Sequence, residues 1–242
     1  MCALVRAASD RSVGLTTAAV IGTWVEAEFH PGVERDSTEH PMTREPGSRT
    51  VGGMTNTRTS SEMNAAGFET AVTRNRAFGA GGGYRDAAMF PNLKLFVVTC
   101  LDPRVDPAHI LGLELGDAMV VRNGGGRVTP ELIELIAFVC EMAENAVPEG
   151  PLFEVAVIHH THCGSGALAD DDFRRRYAQR IGEDESTLRE FAVLDPAATV
   201  ASDVDRLRSA PAISPRVTVS GHTYDVETGR VETVIPASRT TS

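Results

Sequence analysis

The sequence predicts a single α/β domain with a mainly parallel central β-sheet flanked by helices, preceded by a flexible N-terminal extension. Short apolar runs alternate with helical segments along the second half of the chain, as they do in parallel sheets. The composition is that of an ordinary globular protein, with 42% hydrophobic residues among 242. The first 55 residues show no sustained hydrophobic periodicity, which is typical of an unstructured segment.

These patterns divide the chain into three segments. We expect residues 1–55 to be a disordered or misannotated extension, 56–90 an N-terminal helix with a glycine-rich connection, and 91–242 the α/β domain that contains the candidate metal-binding residues described below. The helix is expected from Ser60 to Phe78, with loosely spaced apolar residues that suit packing on a partner subunit. The run Gly79 to Gly83 is expected to be a flexible connection.

The α/β domain begins with a strand and a short helix. Leu95 to Cys100 is a short apolar run, which is typical of a strand buried on both faces. Asp106 and Pro107 predict the N-cap and first turn of a helix that continues to about Glu114. A second strand is expected from Ala118 to Arg122.

The clearest helix extends from Pro130 to Asn145. So many of its residues are apolar that we expect it to be mostly buried. The glycines that precede it, Gly124 to Gly126, are expected to form a tight turn, because the third glycine of the dinucleotide fingerprint and the P-loop lysine are both absent. The remaining elements are expected as strands at Leu152–His159 and Arg216–Ser220, helices at Asp170–Ile181 and Thr199–Ser209, and two extended segments on either side of Gly229.

The charge and cysteine content exclude several classes of protein. A net charge of -10 and a pI near 5.2 argue against binding to nucleic acid or to anionic membranes. No apolar run is long enough to span a bilayer. The run Val13 to Val25 has the length of a signal-peptide core, but its threonines lower its hydrophobicity and no clear cleavage site follows it, so we do not expect secretion. Four scattered cysteines do not make a disulfide scaffold, so we expect a cytoplasmic protein with free thiols.

Two groups of metal-binding residue types follow neighbouring predicted strands. Cys100 ends the first strand, while His160 and Cys163 follow the third. The carboxyl ends of parallel strands meet at one edge of a sheet. A catalytic zinc site has three protein ligands and leaves a fourth position for water, and these three residues meet that count, with one zinc per chain.

Other interpretations of the same residues stay open. His162 is a rival ligand, whereas His159 should face away from His160, because alternate residues of an extended segment point to opposite sides. A redox cysteine pair is the other interpretation of Cys100 and Cys163, although the chain has no Cys-x-x-Cys motif.

Three segments resemble the signature blocks of β-class carbonic anhydrases, in order and at suitable separations. They are Cys100-Leu101-Asp102-Pro103-Arg104-Val105, Gly116 to Gly126, and His159-His160-Thr161-His162-Cys163-Gly164. Residues 221–229 also resemble the last strands of that family. Three positions depart from the family pattern: Pro103 stands where serine is usual, His162 where aspartate is frequent, and Ser165 where methionine is common.

The resemblance implies a specific chemistry. Zinc would be bound by Cys100, His160 and Cys163, and a zinc-bound hydroxide would reversibly hydrate carbon dioxide to bicarbonate and a proton. Asp102 and Arg104 would form a catalytic pair, with Asp102 as a conditional fourth zinc ligand if the pair breaks. The family also implies a homodimer or a higher homo-oligomer.

Two other functions remain as alternatives. One keeps the fold but hydrolyses a carbon dioxide analogue such as carbon disulfide. The other is a non-catalytic, zinc-stabilised binding or regulatory module. The pair of Asp102 and Arg104 argues against the module, because a structural zinc site usually closes its fourth position with a protein ligand.

Overall fold

The computed structural model describes residues 67–240, so the expected extension over residues 1–55 and the start of the expected N-terminal helix lie outside the described residues. The first described helix, α1, is Gly67–Gly81. It continues through Gly79 and Gly81, where the sequence predicted a flexible connection. Glycine weakens a helix by about 1 kcal/mol but does not prevent one.

The core of the domain is a five-stranded sheet. The first four strands are parallel, and the fifth is antiparallel to the fourth, in the order β2-β1-β3-β4-β5. The predicted fold class, a mainly parallel sheet flanked by helices, is therefore confirmed. The strands are β1 Leu95–Cys100, β2 Ala118–Asn123, β3 Glu154–His160, β4 Thr218–Asp225 and β5 Arg230–Arg239.

The helices that follow α1 mostly match the sequence pattern. They are α2 Pro107–Ile110, α3 Pro130–Ala146, α4 Asp171–Ile181, α5 Glu185–Glu190 and α6 Pro196–Arg208. Helix α2 is shorter than predicted, because Gly112 has a positive φ of 65° soon after it ends. Helix α5 was not predicted, and it has only six residues. Among these helices of residues 67–240, none is both long and apolar enough to cross a membrane.

Helix α3 is less buried than the sequence predicted. Its buried residues form one narrow stripe along the face that meets the sheet: Leu132, Ile136, Cys140 and Ala143. Ile133, Ala137 and Val139 are partly buried against the same core, and the remaining large apolar residues are exposed because the sheet covers only one side of the helix. We call the exposed set the α3 strip; it consists of Leu135, Phe138 and Met142, and Phe138 is 61% exposed.

Strand β4 continues past Ser220, where the sequence predicted its end. Gly221 lies within the strand, where it pairs with Val157 of β3. A Cβ atom at this position would lie 2.9 Å from Cγ2 of Val204 on α6. Glycine at this position therefore allows α6 to pack closely on the sheet. The expected turn near Gly229 connects β4 and β5 as a hairpin.

Candidate metal centre

The ends of two neighbouring parallel strands bring three metal-binding residue types together. Cys100 and His160 are the last residues of β1 and β3, and Cys163 lies in the turn that follows β3. One ligand atom from each of the three lies within 4.8 Å of the other two. Within the part of the chain that the structure describes, this is the one group of three His, Cys or acidic residues so arranged.

The donor atoms fit a zinc ion. The sulfur atoms of Cys100 and Cys163 are 3.8 Å apart and belong to free cysteines. Two thiolates at about 2.3 Å from a tetrahedral zinc would be separated by about this distance. Nδ1 of His160 is 2.9 Å from the carbonyl oxygen of Thr161 and must donate to it, since a carbonyl only accepts. Nε2 of His160 is buried and has no hydrogen-bond partner, so its lone pair is available to a metal.

The two thiols influence each other's protonation. The hydrogen bond between them, together with burial, raises the pKa of Cys100. The same hydrogen bond lowers the pKa of Cys163, against the effect of burial, and the Ser165 hydroxyl lowers it further. The two pKa shifts have opposite signs, as expected for two thiols joined by one hydrogen bond. Binding of a divalent metal would require both groups to be thiolates, so it is coupled to proton release.

Asp102 and Arg104 form a bidentate ion pair beside the three donors. Arg104 donates from Nε to Oδ1 of Asp102 at 3.0 Å and from Nη2 to Oδ2 at 2.6 Å. The backbone N–H of Arg104 also donates to Oδ1, at 2.9 Å. These hydrogen bonds lower the pKa of Asp102 to about 2, so its carboxylate is ionised at neutral pH. In this conformation the carboxylate is bound to Arg104 and is not part of the three-residue group.

Arg122, at the end of β2, holds the turn that carries this pair. Its Nε donates to the carbonyl oxygen of Cys100 at 3.0 Å, and its Nη2 donates to that of Asp102 at 2.6 Å. Its Nη1 contacts Oδ2 of Asp106 at 2.9 Å. Arg122 was not among the predicted site residues, although a charged residue near the end of an apolar strand was an available signal.

Pro103 begins the 3-10 helix Pro103–Val105 that follows Asp102, where its missing N–H costs no hydrogen bond.

The two other histidines of the motif point elsewhere. Nδ1 of His159 is 2.8 Å from Oγ1 of Thr199 on α6, which places this side chain on the opposite face of β3 from His160. His162 is exposed, and its Nε2 lies 3.2 Å from Oε1 of Glu227. Neither histidine belongs to the three-residue group.

The turn Gly124–Gly126 packs directly on the end of β1. Gly126 has a φ of 69°, and a Cβ atom there would lie 2.9 Å from the backbone nitrogen of Cys100. The neighbouring atoms are backbone and cannot move aside as a flexible side chain would. Glycine at position 126 therefore allows the turn to approach the metal centre.

Replacing Gly126 with alanine should lower the free energy of unfolding by about 2 kcal/mol or more, since it adds both a steric clash and a left-handed residue with a Cβ atom. Urea unfolding measures the change. Gly124→Ala in the same turn is the matched control, because φ there is not positive and an added Cβ would have no neighbour within 4 Å. Equal losses for the two variants would contradict the close-approach argument.

The chain is similar to known proteins of one family. The family model described as carbonic anhydrase matches residues 95–231. β-Carbonic anhydrase 1 of Mycobacterium tuberculosis is 29% identical over 148 residues, covering 61% of this chain and 86% of that protein. A carbon disulfide hydrolase of an Acidianus species is 27% identical over 163 residues, covering 58% of this chain and 76% of that protein.

A solved structure shows the same similarity. The crystal structure of carbonic anhydrase from Streptococcus mutans has a TM-score of 0.58 and 31% sequence identity. The similarity covers 69% of this chain and 96% of that one. The span matched by the family model includes the three metal-binding candidates and the adjacent ion pair: Cys100, Asp102, Arg104, His160 and Cys163.

Proposed function

The chain belongs to the β-class carbonic anhydrases, and we propose that Cys100, His160 and Cys163 bind its catalytic zinc, with one ion per chain. It is an enzyme that reversibly hydrates carbon dioxide to bicarbonate and a proton. The observation that carries the proposed ligand set is the unpartnered Nε2 of buried His160 beside two free thiols.

The side chains around the three ligands have separate tasks in this proposal. Zinc, when bound, acts as a Lewis acid that lowers the pKa of a coordinated water, so that a nucleophile for carbon dioxide forms near neutral pH. Asp102 is ionised and can only accept hydrogen bonds, so it can orient a water molecule at the site by accepting a hydrogen bond from it. Arg104 donates to both carboxylate oxygens and fixes the direction of Asp102.

Arg104 also controls a second role of Asp102. While the ion pair is intact, the carboxylate is held by three hydrogen bonds from Arg104. If the guanidinium is removed, Asp102 is free to turn toward the three donors as a fourth ligand, in the position that water would otherwise occupy. Arg104 therefore keeps the fourth position available to water.

Replacing Arg104 with alanine should lower kcat/KM for carbon dioxide hydration by about 100-fold, the cost of misplacing a group that orients the reactants. Zinc content should stay near one per chain. Stopped-flow hydration measures the rate, and Arg175→Ala, which removes an exposed arginine paired with Asp172 on α4, is the control. An R104A rate equal to that of the unmodified protein would rule out the proposed role of the pair.

The direct test of the function is stopped-flow hydration of carbon dioxide with protein of measured zinc content. We expect hydration in proportion to bound zinc. The similarity to carbon disulfide hydrolases makes carbon disulfide the informative second substrate, with release of sulfide as the readout. If the protein bound about one zinc and turned over carbon disulfide alone, the assigned substrate would be carbon disulfide rather than carbon dioxide. If it bound zinc and turned over neither compound, the result would favour the binding module.

Two further features support proposals about the state of the protein. The exposed α3 strip is the kind of apolar surface that a second copy covers, so we propose a homodimer or a higher homo-oligomer. We also propose a cytoplasmic location, because the thiols of Cys100 and Cys163 must stay reduced to bind zinc, and a reducing compartment preserves them.

A further inference from the structure

Ser165 lies directly beside one of the proposed zinc ligands. It is in the 3-10 helix Gly164–Ala169, and its Oγ is 3.2 Å from the sulfur of Cys163. The same Oγ accepts a hydrogen bond from the backbone N–H of Val193 at 3.3 Å. Val193 is buried, so the position of this donor is fixed by packing.

The Val193 donor and a metal-bound thiolate together fix the direction of the hydroxyl proton. A serine hydroxyl has one O–H donor and two acceptor lone pairs. The N–H of Val193 can only donate, so it uses one lone pair of Oγ and leaves the proton free. If Cys163 were a neutral thiol, either Oγ or the sulfur could donate. A metal-bound cysteine is a thiolate, which can only accept, so with metal bound the hydroxyl donates to the sulfur.

Both sulfurs have a backbone hydrogen bond, and the sulfur of Cys163 has a side-chain donor as well. The sulfur of Cys100 accepts from the backbone N–H of Asp102 at 3.4 Å, and a backbone donor is present whatever the side chain. The hydrogen bond from Oγ to Cys163 exists only because residue 165 carries a hydroxyl. Methionine, common at this position in the family that the sequence resembles, has no such donor.

We propose that Ser165 is a positioning residue of the metal centre: its hydroxyl donates to the sulfur of Cys163, orients this ligand and withdraws charge from it. The inference rests on the proposed function, because it takes Cys163 as a zinc ligand. A hydrogen bond to a charged acceptor is stronger than one between neutral groups, so its loss changes both the geometry and the donor strength of the thiolate.

The test compares Ser165→Ala, which removes the hydroxyl, with Ser165→Thr, which keeps it. Zinc affinity is measured by competition with a chromophoric chelator. We expect S165A to bind zinc about 10-fold more weakly, because metal affinity falls when a ligand loses its hydrogen-bond partner. In the cobalt(II)-substituted protein, the sulfur-to-cobalt charge-transfer band should move to lower energy in S165A, because the thiolate regains the charge that the hydrogen bond withdrew. S165T should restore both properties.

Ser214→Ala is the matched control. It also removes a buried hydroxyl, but one that is hydrogen-bonded to Glu144 on α3. Neither zinc affinity nor the cobalt band should change in S214A. An S165A protein with unchanged affinity and an unchanged band would overturn the inference, and so would an S165T protein that behaves like S165A. If the unmodified chain bound no zinc, the proposed function would fail, and this inference with it; a failure confined to the Ser165 variants would leave the proposed function intact.

Discussion

Replacing His160 with alanine is expected to remove zinc from the protein and reduce carbon dioxide hydration to background. His160 supplies the one nitrogen donor of the three-residue group, and its Nε2 has no other partner. Loss of a hydrogen-bond partner to a ligand costs about 10- to 100-fold in metal affinity, and loss of the ligand itself should exceed about 100-fold. Elemental analysis after dialysis and stopped-flow hydration measure the two effects.

His162→Ala is the matched control for this variant. The two histidines are two positions apart, but His162 is exposed and contacts Glu227 rather than the two cysteines. We expect H162A to retain about one zinc per chain. The comparison also separates the two candidate nitrogen ligands that the sequence left open. If H160A kept its zinc while H162A lost it, the proposed ligand set would be wrong.

The second large effect on the protein is expected from the loss of a buried ion pair between the glycine turn and α6. Arg127 follows the glycine turn, and Asp203 lies on α6; the two residues are 5% and 0% exposed. Nε of Arg127 is 2.7 Å from Oδ2 of Asp203, and Nη2 is 3.1 Å from Oδ1. Asp203 also accepts from the backbone N–H of Val128 at 3.1 Å, and Nε2 of His159 lies 3.3 Å from its Oδ2. The pair therefore joins the turn, β3 and α6.

Replacing Asp203 with alanine should lower the free energy of unfolding by about 3 to 5 kcal/mol, because the buried guanidinium of Arg127 loses its countercharge and keeps only the carbonyl oxygen of Glu190 as a partner. Urea unfolding measures this loss. Asp172→Ala is the control, since it removes an exposed partner of Arg175 and should cost less than about 1 kcal/mol. The double variant R127M/D203L should recover much of the stability, because it removes both charges. A D203A loss as small as that of D172A would contradict the assignment.

The same carboxylate predicts how stability depends on pH. Burial raises the pKa of Asp203, but the hydrogen bonds from His159 and Arg127 outweigh it, and the folded-state pKa lies below the usual value of 3.8. A depressed pKa stabilises the fold above the unfolded-state value, and this contribution is lost as the pH falls through the folded-state value. The contribution is therefore complete at neutral pH and disappears in acid. D203A should lack this part of the acid dependence.

Much of the fold could be predicted from local patterns. The apolar run before Cys100 and the apolar segment that begins at Pro130 are patterns of neighbouring residues, and the structure has a strand and a helix at these places. Two other predictions were wrong for a common reason. The burial of α3 depends on how much of the helix the sheet covers. Gly221, which follows the predicted end of β4, is a close-packing position against α6 rather than the end of the strand. Periodicity contains no information about either contact.

The sequence by itself determined the family, the class of fold and the residue types available for a metal, because motif spacing and strand-end positions are local properties of the chain. Only the tertiary structure decided how these groups interact. It brought the sulfur of Cys100 to 3.8 Å from the sulfur of Cys163 and left Nε2 of His160 without a hydrogen-bond partner. It also placed the backbone N–H of Val193 against Oγ of Ser165, which leaves the hydroxyl proton available to the sulfur of Cys163. These features depend on contacts between residues far apart in the chain, and such contacts exist only once the strands have paired and the turns have packed on their ends.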